Sequence, residues 1–146
     1  MNVVLESRQG RPVTSPDVVA AIGQLSDYLE GLPEMGRALS IADPLLQLHR
    51  GIEGPSGSHL PESRAVIQQY LLLLESTDQL EDLITRDRTA ANILLRVDNN
   101  GSEDLQNIAI AAKQWWKGHG PSDFSAEATG IMYEFARSED AISVGQ

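Results

Sequence analysis

Close to the N-terminus the hydrophobic spacing changes period once, and that change limits the folds open to this chain. Residues 2–6 place the β-branched Val3 and Val4 beside Leu5, then give way to the turn-prone Gln9-Gly10-Arg11-Pro12, a strand running into a loop. Directly afterwards Ser15-Pro16-Asp17 offers an N-cap, a proline suited to the first helical position and an acid in the first turn. Val18, Ile22, Leu25 and Leu29 then recur at intervals of 4, 3 and 4, which is the stripe of an amphipathic helix ending near Gly31 and Pro33. A strand followed at once by a helix of this kind opens a β-α-β order, in which helices cover one face of a sheet.

The remainder extends the pattern. Residues 37–41 are of strand length, and Asp43-Pro44 repeats the cap-then-proline signal ahead of a short helix over 45–52. Residues 51–61 hold three Gly and two Pro and read as a loop. Val66, Ile67, Tyr70, Leu71 and Leu74 give residues 62–76 a broad apolar helical face. Two short apolar runs, 80–85 and 91–97, flank Arg86-Asp87-Arg88-Thr89 and predict a hairpin. After the turn Asp98-Asn99-Asn100-Gly101, Ser102-Glu103-Asp104 caps a helix striped by Leu105, Ile108, Ala112 and one of Trp115 or Trp116. A strand over 125–129 and a helix over 131–146, carrying Ile131, Phe135 and Ile142, complete the order. The expectation is one α+β domain spanning 1–146, a ferredoxin-like split βαβ sandwich. Its parts are βαβ over 2–41, a helical insertion over 43–76, ββαβ over 80–130 and a closing helix over 131–146.

Composition narrows the chemistry. A formal net charge of −10, from 11 Lys+Arg against 21 Asp+Glu, disfavours phosphate backbones and anionic lipid surfaces, so no nucleic-acid partner is expected. The absence of cysteine removes disulfides, thiolate metal sites and thiol nucleophiles. No apolar stretch approaches the roughly 20 residues of a membrane span; the run over 70–74 is only five long.

Catalytic motifs are not evident. His49, His59 and His119 fall in separate segments without the i, i+4 spacing of a helical metal pair, and read as loop or helix-end histidines. The oxygen-rich Asp98-Asn99-Asn100-Gly101-Ser102-Glu103-Asp104 has its glycine fourth, and Ala109 stands where a calcium loop needs a bidentate Glu. Gly54-Pro55-Ser56-Gly57 lacks the spacing of a serine nucleophile elbow. Glu81-Asp82 and Glu139-Asp140 read as solvated acidic faces. No catalytic residue, metal or cofactor is therefore assigned, and the chain is not expected to be an enzyme. Candidate contact residues are Trp115 and Trp116, because two consecutive indoles on a helix cannot both point inward, together with Tyr70 on the apolar face over 70–74.

Several segments, taken in order, carry a resemblance. Ser15-Pro16-Asp17-Val18 opening a helix, Leu39-Ser40-Ile41-Ala42-Asp43, Leu60-Pro61 and Gln69-Tyr70-Leu71-Leu72 resemble an extracytoplasmic loop of the resistance-nodulation-division (RND) superfamily, in its MMPL-like and hydrophobe/amphiphile exporter branch. Ile84-Thr85-Arg86-Asp87-Arg88-Thr89-Ala90-Ala91-Asn92-Ile93 is similar to that family's hairpin, with an Asp in the turn before an apolar strand. Ala128-Thr129-Gly130 and Ile142-Ser143-Val144-Gly145-Gln146 look like the approach to the next transmembrane helix.

The resemblance implies a periplasmic porter-type domain of a proton-driven exporter in the bacterial inner membrane. The Gln69-Tyr70-Leu71-Leu72 and Asp87 patterns favour the second of its two large loops. Its partners would be the parent's transmembrane helices and sister loop, and its substrate a lipidic or amphiphilic compound. The family's proton-relay carboxylates lie in transmembrane helices, so none maps onto this chain. A free-standing ligand-binding or regulatory module on the same scaffold is the alternative.

Overall fold

The computed structural model describes residues 1–33, 35–54, 59–78, 80–97 and 102–129, apart from the side chains of 102 and 103. In order these form β1 (Asn2–Ser7), α1 (Pro16–Glu30), β2 (Met35–Leu39), α2 (Ala42–Glu53), α3 (Arg64–Glu75), β3 (Ala90–Val97), α4 (Ser102–His119) and β4 (Phe124–Thr129). The strands make one four-stranded sheet in the order β2-β3-β1-β4, with every neighbouring pair antiparallel. The fold is α+β and compatible with a ferredoxin-like sandwich.

Strand alternation puts one face of the sheet into the core. Val3 and Leu5 of β1 are fully buried and pair across the ladder with Ile93 and Ala91 of β3. Leu95 faces Ala38 of β2, while Phe124 and Ala126 continue the buried row on β4. Two helices cover that row: α1 packs on β2, α4 packs on β4, and the two helices touch each other. The predicted stripe of α1 is the buried one, with Val18, Ile22, Leu25 and Leu29 at zero exposure. α2 lies against α1 and α3, and Leu45, Ile67, Leu71 and Leu74 join the same core. Gly23 makes room for α2, since a β-carbon there would sit 3.2 Å from that of Ala42.

Local chemistry explains where boundaries moved. Ser15 occupies the N-cap of α1, but its hydroxyl donates to the Pro12 carbonyl at 2.9 Å instead of capping the helix. At α2 the N-cap is Ile41, without a side-chain cap, and Asp43 does not fill that role: Ser40 Oγ accepts from the Ala42 amide, and the Asp43 carboxylate accepts from the Ser40 amide at 2.8 Å. The approach to α2 thereby takes Ser40 and Ile41, and β2 lies two residues earlier than the expected 37–41.

The strand expected over 80–85 does not form. Leu80, Leu83 and Ile84 are all buried, at helix-turn spacing rather than in alternation, and the amides of Leu83 and Ile84 both donate to the Leu80 carbonyl. A single bridge, Ile84 to Ala91, is what the hairpin amounts to. Its turn is held by Asp87, whose Oδ1 accepts from the Thr85 hydroxyl, the Thr89 hydroxyl and the Thr89 amide at 2.7, 2.8 and 3.1 Å. These bonds hold the Asp87 carboxyl below its ordinary range. The helix expected over 131–146 lies outside the described residues.

At the end of α4, Trp116 is 3% exposed and donates Nε1–H to the Phe124 carbonyl at 3.1 Å. Gly120 lies flat on its ring, and a β-carbon there would come within 2.3 Å of Cδ2, whereas Gly118 faces open space. Gly120→Ala is expected to cost about 1–3 kcal/mol through overpacking. Gly118→Ala should be neutral or stabilise by up to about 1 kcal/mol. Urea unfolding of the two variants checks the contrast, and equal effects would contradict this packing.

Candidate functional site

The three contact residues singled out from the sequence separate in the structure. Tyr70 is 4% exposed, and its hydroxyl bonds His49 Nδ1 at 2.8 Å, tying α3 to α2. Burial, followed by the charge of Glu53, pushes its phenol above the usual range. The apolar run around it divides: Tyr70, Leu71 and Leu74 face inward, while Leu72 and Leu73 point outward at 66% and 55% exposure. Trp116 belongs to the core, so the consecutive indoles do diverge.

Trp115 is the one that stays at the surface. It stacks on His119 at 4.7 Å between centroids with 19° between planes, and beyond it lies Tyr28 of α1 at 6.2 Å. His119 also bonds the Trp115 carbonyl through Nδ1 at 3.0 Å. Helical i, i+4 geometry brings His119 onto Trp115, a pairing that could have been read from the sequence; Tyr28 required the packing of α1 on α4. His49, expected at a loop or helix end, is instead half-buried in α2 against Tyr70. Among the described residues no group of three His, Asp or Glu side chains is placed to hold a metal ion.

Two concavities flank α2. The larger, about 630 Å³, lies between α1, the start of α2 and residues 59–62, and brings Asp17, Asp27, Asp43 and Glu62 together with His59. Asp27 titrates above its ordinary range there, first from burial and then from Glu30 and Asp43. The smaller, about 400 Å³, lies between β2, the other flank of α2 and the Asp82–Leu83 turn, and contains Arg37 and Arg50 above a floor that includes Leu39, Leu46 and Leu94. Sequence reasoning singled out none of these lining residues as a site, because they come from separate segments.

The loop after β1 is pinned by one side chain. Arg11 forks onto Asp123 through Nε and Nη2 at 2.8 and 2.9 Å, and Nη1 reaches both oxygens of Asp17. Its guanidinium sits 5.4 Å from the centroid of the Phe124 ring. This clamp joins the β1–α1 loop to the start of α1 and the start of β4.

No protein-family model, curated protein or solved structure matches the chain.

The fork onto Arg11 holds the Asp123 carboxyl below its ordinary range. A group depressed in the folded state adds stability above its unfolded pKa, near 4, and that share is lost as pH falls through the folded value. Asp123→Asn is expected to lower the urea midpoint at pH 7 and to flatten the acid limb of the stability profile below about pH 4. An unchanged limb would remove the clamp from the stability of the fold.

Proposed function

We propose that this chain is the porter-type domain of a proton-driven RND exporter, held on the periplasmic side of the bacterial inner membrane and contributing to the path of a lipidic or amphiphilic substrate. The strand order supports a ferredoxin-like split βαβ scaffold with a helical insertion: β3 lies between β1 and β2, and β1 lies between β3 and β4. The α2–α3 pair occupies the insertion between the two halves.

The observation that carries the reading is the register of β1 on β4. Asn2 pairs with Thr129, so the two ends of the described body lie side by side, about 5 Å apart between α-carbons. A domain whose ends meet can be inserted between two helices of a longer chain without disturbing either. The resemblance to RND loops calls for that arrangement. The half-exposed Trp115 stack and the outward Leu72 and Leu73 offer apolar surface for a sister loop or substrate.

The proposal makes the gene testable beyond this segment: the reading frame should continue past Gln146 into an apolar run of about 20 residues. A stop codon directly after Gln146 overturns it. In the full-length protein, Leu72→Glu/Leu73→Glu, at two side chains that point outward, should lower export while leaving expression and folding unchanged, and unaltered export would remove that face from the pathway.

A further inference from the structure

We infer that the open edge of β4, with the flank of α4 beside it, takes up an extended acidic peptide as an added strand, its backbone on Ala126 and Ala128 and its carboxylates on Arg8, Lys113 and Lys117. The inference goes beyond the exporter reading and does not rest on it.

The phase of the β1–β4 ladder decides which backbone groups are open. The Arg8 amide donates to the Asp123 carbonyl at 2.8 Å, which makes those two a hydrogen-bonded pair one step beyond Ser7 and Phe124. Bonded and non-bonded pairs alternate along an antiparallel ladder, so Ser125, Glu127 and Thr129 turn their N–H and C=O groups toward β1, and Phe124, Ala126 and Ala128 turn theirs away. The far side of β1 agrees, since the Ser7 amide donates to the Thr89 carbonyl, toward β3. Phe124 is satisfied on the open side: its amide donates to the Pro121 carbonyl, and its carbonyl accepts from Trp116 Nε1. Among the described residues no strand lies beyond β4, and Ala126 and Ala128 each present a donor and an acceptor outward. Such a row is a template for strand addition.

The groove along this edge sets the charge of the added strand. A concavity of about 250 Å³ lies between α4 and β4, where Trp116, Phe124 and Ala126 stand beside Arg8, Lys113 and Lys117, and Glu127 is the carboxylate among its described lining residues. Three cations against one carboxylate make a local positive surplus on a chain whose net charge is −10. Two neighbouring acids do not cancel it. Asp123 is held by the Arg11 fork, and Glu6, opposite Ser125 on β1, alternates onto the sheet face away from α4. Lys113 and Lys117 stand four residues apart on α4, about 6 Å along its axis, close to the roughly 6.8 Å between alternate residues of a strand. Carboxylates two apart in the peptide therefore meet one lysine each. Glu127 also alternates away from α4, so its bridge to Lys113, 3.1 Å long, spans the open edge. Both side chains are about two-thirds exposed, at 65% and 64%, and so wet a pair is weak. It shields the edge from neutral strands and gives way to an acidic one.

A capped octapeptide of alternating Thr and Glu, titrated at low salt into the isotope-labelled 146-residue chain, tests this by NMR. The expected result is saturable binding that shifts the amides of Ala126 and Ala128 and the Nε1–H of Trp116, the two amides exchanging rapidly in the free chain and slowly in the complex. The same peptide with Lys for Glu, or with N-methyl groups on alternate backbone nitrogens, should bind at least about tenfold more weakly, through loss of the charge contacts or of the ladder. Lys113→Gln/Lys117→Gln should also cost about tenfold, and Lys113→Arg/Lys117→Arg should keep the affinity. Both lysines are exposed, so circular dichroism should be unchanged. Glu127→Gln frees Lys113 and should tighten binding by up to about fivefold. The inference is overturned by absence of binding, by Ala126 and Ala128 amides already protected in the free chain because another segment or a second copy pairs with β4, by equal binding of the lysine or N-methyl peptide, by full affinity in the double glutamine variant, or by weaker binding in Glu127→Gln.

Discussion

Burial of one face of the β1–β3 pair is the constraint on which the other parts depend. Val3, Leu5 and Ile93 are wholly withdrawn from water at the centre of the sheet, and each such side chain contributes about 1.5–3 kcal/mol when buried. Because β1 and β3 are both interior strands, a slip of one residue in either would turn these side chains to solvent and disturb both ladders at once. α1 and α4 close over the face, and their own contact fixes where Tyr28 and Trp115 meet. The Asp87 turn and the Arg11 clamp act at the margins. One launches β3 in register; the other fixes the loop leaving β1 to the beginning of β4.

The parts legible in the sequence were those governed by a single period. α1 and α4 could be read because Val18, Ile22, Leu25 and Leu29, and likewise Leu105, Ile108 and Ala112, repeat at helical spacing and nothing competes with that spacing. The same stripe left Trp115 and Trp116 open. Packing chose Trp116, which lies four residues past Ala112 and has a carbonyl within reach of its indole N–H. Residues 80–85 failed for the opposite reason: a short apolar run fits either a strand or a turn of helix, and contacts from β3 decide it. Asp43 before Pro44 has the chemistry of a cap, yet Ile41 takes the N-cap position of α2 and the Asp43 carboxylate accepts from the Ser40 amide instead, a difference that only the backbone shows.

The groove beside β2 was less legible still. Arg37 in isolation is a charge on a short strand, and Arg50 a charge near a helix end. They meet through a register shift and the way α2 folds back beside β2, neither of which leaves a spacing in the chain. Net charge was similarly uninformative at this scale, since an excess of carboxylates over the whole chain coexists with a concavity in which Arg37 and Arg50 stand beside Asp43 and Asp82.

The register of Asn2 on Thr129 also has a mechanical meaning. Force transmitted through the two ends of this body would act across the β1–β4 ladder, perpendicular to the strands, and would load its hydrogen bonds one after another from that end rather than all together. Such a ladder opens as a zip does, at lower force than one pulled in shear. Pulling those two ends apart would therefore strain the β4 edge first, and the Arg11–Asp123 fork at the far end of β4 would be the place where the opening is checked.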